Sequence, residues 1–315
     1  MIRRKYLFNN DQLKISNKLN SMLDTEKNIL TRSCILCKNN DFEKISKVDR
    51  YGIKYFTGIC KKCGLTQQYK YPNKEFTNVF YEKYYNYLYA FFKNPEERFI
   101  SQFNSAKYKF DILKDFINFK NDTNVLEIGC GAGGILAFFK SKNCKVIGID
   151  YENEHLEYAR KKNITTHTSY EKINKKFDLI ILSHVLEHLV YIDDILNICK
   201  NLIKKDGLIY IEVPSIESIS KHYDYDIQNF LHIAHVTHFT KSTFINFINL
   251  KGFNIKFIND KIHSIIFPSK SSDLIINNYF DTKKILKNIK IKKIIFLPIE
   301  NILKMIKNVL KKAIY

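Results

Sequence analysis

Two groups of residues in this chain have the types and spacing for chemistry. The first is Val125-Leu-Glu-Ile-Gly-Cys-Gly-Ala-Gly-Gly-Ile-Leu136. An apolar run ends at Gly129, and Gly131, Gly133 and Gly134 follow before a helical pattern begins. A buried strand that breaks into a glycine turn lets the backbone approach a ligand closely, and the helix behind it offers free amides. Lys145-Val-Ile-Gly-Ile-Asp150 reads as a second strand ending in an acid, 21 positions beyond Gly129, where a carboxylate can accept from ribose hydroxyls. Strand, glycine turn, helix and strand-terminal acid together point to an adenosine-containing cofactor.

The second group is Cys34-Ile-Leu-Cys37, followed after 22 residues by Cys60-Lys-Lys-Cys63-Gly64. Two such pairs around a strand-like segment, Lys54 to Ile59, have the pattern of a zinc ribbon. Each pair forms a knuckle, and Gly64 allows the turn behind the second. Four thiolates close a tetrahedral site with no open position, so this zinc is expected to be structural. Cys130, Cys144 and Cys199 fall in strand, turn or helix patterns and read as packing residues.

The elements that must position these groups follow from periodicity. Glu96 to Phe119 has helical spacing, with Phe99, Phe103, Ala106, Phe110, Leu113 and Ile117 on one face. After the glycine turn come helix 133–142, strand 144–149, helix 153–162, a short strand at 164–167 and the buried strand 177–183. Helix 192–204, strand 207–214, helix 243–252 and strands 254–259 and 263–268 complete the run. This alternation implies a parallel sheet with helices on both faces. The aromatic stretch Tyr81 to Phe92 reads as a linker helix packing the ribbon on the main domain, or as a source of tyrosines, Tyr85 and Tyr87 first, for the cleft.

The net charge of +19 fits an anionic partner, but lysine is spread through ordinary helices, so only its clusters carry weight. One cluster is the C-terminal arm. Ile299, Ile302, Leu303, Ile306, Val309 and Leu310 recur at helical spacing with Lys304, Lys307, Lys311 and Lys312 between them, and Pro298 is expected to start the helix. Such an arm can lie on an anionic membrane through 283–315, or dock on the enzyme or on a partner. The basic start Met1-Ile-Arg-Arg-Lys-Tyr lacks the apolar core of a secretory signal, and no run of about 18 apolar residues exists to span a bilayer. A cytoplasmic protein, peripheral on the inner face of the membrane if the arm binds lipid, is expected.

Together these segments resemble the class I methyltransferases that use S-adenosylmethionine (SAM). The resemblance rests on Glu127 two residues before the first glycine, on Gly-Ile-Asp150, on Phe177-Asp-Leu-Ile-Ile-Leu-Ser-His-Val-Leu-Glu-His-Leu189 and on Lys205-Asp-Gly-Leu-Ile-Tyr-Ile, and covers about 95–268. A narrower resemblance, to methyltransferases of surface-glycan and antibiotic-sugar pathways, takes in the four-cysteine region and the tyrosine-rich connector. It sets His232-Ile-Ala-His-Val-Thr-His-Phe-Thr240 beside the Tyr-x-Glu-His pattern of deoxysugar C-methyltransferases. His235 falls on their catalytic histidine, but His232 and Ala234 replace the tyrosine and glutamate, so methylation at oxygen fits better than at carbon or nitrogen.

The resemblance implies an α/β fold: a Rossmann-like, seven-stranded sheet with a small N-terminal zinc ribbon and a C-terminal amphipathic helical arm. The boundaries read as a helical segment 1–30, a ribbon 31–75, an aromatic linker 76–95, a SAM domain 96–270 and a basic tail 271–315. It further implies that Gly129, Gly131 and Gly133 approach the methionine end of SAM, with Glu127 by its amino group. Asp150 takes the ribose hydroxyls, Tyr151 packs on adenine, and Ser183 lines the cleft. A sugar hydroxyl needs a base; His235 is the first choice, with His188 and His238 behind it, and Glu187 orients substrate. The expected acceptor is a small-molecule or lipid-linked sugar. An RNA methyltransferase and an NAD-dependent sugar oxidoreductase are the alternatives, with a non-catalytic binding protein behind them; nucleic acid is not the expected partner, because the basic residues are dispersed.

Overall fold

The structure, a computed structural model, describes residues 9–24, 26–89, 92, 94–219 and 223–314. It divides into two compact units: Met1–Leu88 with Ser215–Thr243 and Ile275–Tyr315, and Tyr89–Pro214 with Phe244–Leu274.

The first unit opens with α1 (Asn10–Leu23), whose Asn9 and Gln12 cap each other in a capping box. Residues 1–8 of the expected helical segment lie outside the described residues. Strands β1 (Ile29–Thr31), β2 (Phe42–Val48), β3 (Lys54–Cys60) and β4 (Thr66–Pro72) form an antiparallel sheet in the order β1-β4-β3-β2. Helices α2 (Lys74–Lys83) and α3 (Tyr85–Tyr89) follow; Ala90, Phe91 and Lys93 of the aromatic linker lie outside the described residues.

The second unit begins with α4 (Pro95–Leu113). Asn94 caps it by accepting from the Glu97 amide at 2.9 Å, Pro95 fixes the first turn, and Glu96 and Glu97 complement the helix dipole. Then come β5 (Asn124–Ile128), α5 (Gly134–Ser141), β6 (Lys145–Ile149), α6 (Asn153–Lys161), β7 (Thr165–His167), β8 (Phe177–Ser183), α7 (Ile192–Leu202) and β9 (Ile203–Glu212). The chain then contributes α8 (Ile227–Phe230) and β10 (Thr237–His238) to the first unit. Helix α9 (Lys241–Leu250) leads back to β11 (Phe253–Ile258) and β12 (His263–Pro268), and α10 (Tyr279–Ile314) ends the chain.

Seven strands make the second sheet, in the order β11-β12-β9-β8-β5-β6-β7, with β12 and β11 the antiparallel additions to five parallel strands. This is the expected α/β architecture. Residues 125–128 of β5 are buried on both faces, as a central parallel strand requires. A core of Val125, Leu136, Phe139, Leu179 and Ile181 beneath α4 and α5 holds the strand ends in place.

Residues 215–243 pack with the first unit, because Thr237 and His238 pair with Gln67 and Thr66 of β4. One expectation is corrected. Pro298 lies inside α10 rather than at its start. A single proline removes one backbone donor and crowds one carbonyl, and the helical spacing of apolar residues runs on through this point. The side chains of the apolar series from Ile299 onward lie outside the described residues.

Candidate active site at the carboxyl ends of the parallel strands

In the second unit β5 pairs with β6 on one side and β8 on the other, so chain direction across the sheet reverses there. In open α/β sheets the crevice at this reversal, outside the carboxyl ends, is where ligands bind. The register brings those ends level: Ile128 pairs with Ile149 and Leu182, and Ser183 with Glu212. Gly129, Asp150, Ser183 and Glu212 therefore share one edge.

The glycine turn is built as its sequence predicts. Gly129, Gly131 and Gly133 have φ of 77°, 50° and 81°, the left-handed region open to glycine. A Cβ on Gly133 would sit 2.9 Å from the Ala159 Cβ, so this position is closed to side chains twice over. Gly131 donates its amide to Asp150 Oδ2 at 2.7 Å, while Oδ1 accepts from Tyr151 and Glu152 at 2.7 and 3.1 Å. Three amides thus fix Asp150: Oδ1 accepts two of them, and Oδ2, which accepts one, keeps a lone pair for a further donor. Tyr151 stands beside it, 80% exposed. Helix α4 braces the turn from above: Gln102 donates to the Cys130 carbonyl at 3.1 Å and accepts from Gly134 at 3.3 Å. Arg98 lies against Gly131 and pairs with Glu152 at 3.8 Å.

Glu127 is 1% exposed, and its Oε2 is buried without a hydrogen-bond partner. Burial pushes its carboxyl well above the usual range; Lys109 and Arg98 draw it down, and the charges of Asp150 and Glu212 add to the rise. A cationic or donor group brought beside such a carboxyl would stabilise its charged form.

At the next strand ends Glu212 is a hub. Its Oε2 accepts from Ser183 Oγ at 2.7 Å and pairs with Lys109 Nζ at 2.7 Å; Oε1 lies 3.5 Å from His184 Nε2 and 3.7 Å from His263 Nδ1. Burial works against the charge on Glu212, but the His184 hydrogen bond and the cations around it prevail and hold the carboxyl far below its ordinary value. His184 also meets Glu187 Oε1, at 3.2 Å through Nδ1. Desolvation opposes its charge, yet the two carboxylates outweigh it and push the imidazole up. The ring is 54% exposed, so water screens part of that attraction. His184 holds φ of 57°, a strained conformation for a residue with a side chain. His188 follows, with Nε2 4.0 Å from Glu187 Oε1.

A family described as a methyltransferase domain matches residues 97–256, just over half of the chain. The chain belongs to this methyltransferase family. It carries a class I SAM-dependent methyltransferase domain, and the dehydrogenase alternative falls with that match. Among curated proteins, the ubiquinone biosynthesis O-methyltransferase of Glaesserella parasuis serovar 5 (strain SH0165) is 33% identical over 114 residues, covering 31% of this chain and 48% of the relative. The (S)-coclaurine N-methyltransferase of Papaver somniferum is 25% identical over 130 residues, 36% of each chain. The chain spans about half the length of the curated relatives it matches. Among solved structures, Streptomyces venezuelae DesVI aligns with a TM-score of 0.42 at 12% identity, covering 54% of this chain and 92% of that one.

The chain brings Glu127, the three glycines, Asp150, Tyr151, Ser183, Glu187 and His188 together in the second unit. Its other expected site residues belong to the first unit. There His235 and His238 are buried (7% and 2%), their rings 5.7 Å apart, with Tyr55 Oη against the His238 ring nitrogen and donating to the His235 carbonyl at 3.0 Å. Tyr85 packs on Phe80 and Tyr81, and Tyr87 donates to Asp11 at 3.3 Å.

Cys34, Cys37, Cys60 and Cys63 are all buried, with their four sulfurs within 4.8 Å of one another. Sγ atoms of Cys34 and Cys63, and of Cys37 and Cys60, lie 3.4 Å apart. The two knuckles repeat one geometry: Lys38 donates to the Cys34 carbonyl at 2.9 Å and Gly64 to that of Cys60 at 2.8 Å, with φ of 59° and 78°. A tetrahedral zinc with Zn–S of about 2.3 Å sets sulfurs about 3.8 Å apart, so the cluster fits the ion.

Sequence reasoning missed Arg98, Gln102, Lys109, His184 and Glu212. A signal existed for two of them. Lys109 interrupts the apolar face of α4 between Ala106 and Leu113, and Glu212 ends a strand that is otherwise apolar from Leu208. A charge on each of two buried faces implies a pair.

Proposed function

We propose that this chain transfers the methyl group of SAM to a hydroxyl of a small-molecule, sugar-type acceptor. The observation that carries the donor half is the strand-end cleft: a left-handed glycine turn, an acid fixed by three amides, and the buried Glu127 carboxyl, whose Oε2 has no hydrogen-bond partner. Glu127 would receive the amino group of the methionine part, Asp150 the ribose hydroxyls, and Tyr151 the adenine face. When bound, SAM supplies an electrophilic methyl on a positively charged sulfur. The protein's own task is to align the acceptor with it and take the acceptor's proton.

His188 is the base this reading favours within the unit that carries the glycine turn. His184 is not, because its two carboxylates favour the protonated ring, which cannot accept a proton. Glu187 would orient the acceptor, and the imidazolium of His184 would hold Glu187 in place. His235 and His238 remain proposals for the same role, and Tyr85 and Tyr87 for acceptor contact. The likeness to an O-methyltransferase supports oxygen as the acceptor atom, while the four-cysteine region and aromatic linker support the sugar class. The cysteines would hold one structural zinc in a closed site.

The test is methyl-labelled SAM offered with nucleotide-sugars and lipid-linked glycans, with product bonds identified by mass spectrometry. An ether methyl on the sugar is expected, and His188→Ala should lower kcat by roughly 100-fold or more. Label on nitrogen or carbon would overturn the assignment to oxygen, and label on added RNA instead of on any sugar would overturn the acceptor class.

A further inference from the structure

Helix α10 has 36 residues and spans about 54 Å, and the contacts of its described side chains dock its first half on the unit it belongs to. Thr282 donates to the Gly64 carbonyl at 3.0 Å, Lys283 pairs with Glu43 at 2.8 Å, and Leu286 and Ile289 are buried. Lys293 reaches Asp226 at 2.6 Å and Phe296 stacks on Tyr225 with centroids 5.9 Å apart. Lys293 apart, the described side chains from Lys290 onward are exposed. Among them Ile291, Ile294 and Ile295 are 43%, 75% and 51% accessible, a cost in solvated apolar surface that a partner would relieve.

The sequence extends this stripe. Ile302, Met305, Ile306 and Val309 continue the three-and-four spacing set by Ile291, Ile294 and Ile295. Ten lysines and only two acids, Asp281 and Glu300, occupy 279–314, a surplus of eight positive charges. Among the described residues no helix is long and apolar enough to cross a membrane. A helix that is apolar on one stripe, strongly cationic elsewhere and too polar to span has the chemistry of one that lies in the plane of an anionic bilayer. A protein groove would satisfy the isoleucines but would leave the lysine surplus unexplained; anionic headgroups answer both.

We propose that the outer part of α10, from Lys290 onward, lies along an anionic lipid surface, its isoleucines in the acyl boundary and its lysines among the headgroups. The docked first half then tethers the zinc-cluster unit to that surface. The test is co-sedimentation of the full chain with phosphatidylcholine vesicles with and without phosphatidylglycerol. Binding is expected to the anionic vesicles, to weaken as salt rises, and to fall about tenfold in Ile291→Ser/Ile294→Ser/Ile295→Ser and in Lys290→Glu/Lys292→Glu. These residues are exposed, so thermal unfolding should match the parent and separate lost binding from lost folding. No binding to anionic vesicles, equal binding to neutral ones, or unchanged binding by both variants would overturn the proposal. So would a dimer, seen by light scattering, that the isoleucine variant dissolves while vesicle binding is absent.

Discussion

Lys109 of α4 and Glu212 at the end of β9 form an ion pair at 2.7 Å, with the lysine side chain only 4% exposed. The pair ties the helix that precedes the glycine strand to the far side of the strand-end cleft. Removing one partner leaves the other charge buried, which costs about 3–5 kcal/mol. Lys109→Met should lower the urea-derived unfolding free energy by that amount, and a loss below about 1 kcal/mol would show that the pair does not hold this edge. The carboxyl of Glu212 sits below its unfolded value of about 4.3. Its contribution is therefore complete above that pH and lost as pH falls toward the folded value. Lys109→Met should accordingly raise the acid-unfolding midpoint.

Glu127 has the opposite sign. Its folded carboxyl titrates above the unfolded value of about 4.3, so the stability it adds is present below that pH and lost as pH rises through the folded value. A cation bound beside it reverses the preference, and the site must then release its proton. Calorimetry of SAM binding in buffers of different ionisation enthalpy should show proton release and an affinity that climbs with pH. Glu127→Gln should abolish the linkage, and an unchanged proton count in that variant would place the amino group elsewhere.

Gly133→Ala should cost about 1–2 kcal/mol from the left-handed backbone alone. The Cβ contact at 2.9 Å with Ala159 adds to this. Circular dichroism melts should show the loss together with loss of SAM binding. A variant as stable as the parent would mean that the turn relaxes into another conformation.

The cysteine cluster predicts one zinc per chain by elemental analysis and loss of that zinc in Cys60→Ser. The four sulfurs lie within 4.8 Å of one another in a buried cluster that a bound zinc would tie together, so chelation should lower the thermal midpoint of the whole chain. Purified protein that contains no metal and is indifferent to chelator would contradict the assignment.

Periodicity and glycine punctuation made the parallel sheet legible from residue 124 to 212, because its central strands β5 and β8 are buried almost throughout and β5 ends in a glycine turn. The cleft residues on that edge were legible for the same reason, since β5, β6 and β8 each close on a distinctive residue: Gly129, Asp150 and Ser183. What escaped depended on pairing across long chain separations. Residues 232–240 look continuous with the SAM domain in sequence, yet the β4–β10 pairing draws Thr237 and His238 to the first unit. Lys109 and Glu212 are 103 positions apart, and neither alone distinguishes a buried pair from two solvated charges. Pro298 misled because proline more often opens a helix than continues one, and here the helix continues past it.

The carboxyl edge of β5, β6 and β8 is the proposed seat of SAM. Isothermal titration of the full chain with SAM tests it most directly, in the parent and in Asp150→Ala. One SAM per chain is expected in the parent, bound at least about tenfold more weakly once the ribose acceptor is gone. No binding by the parent, or equal affinity in the two proteins, would contradict it.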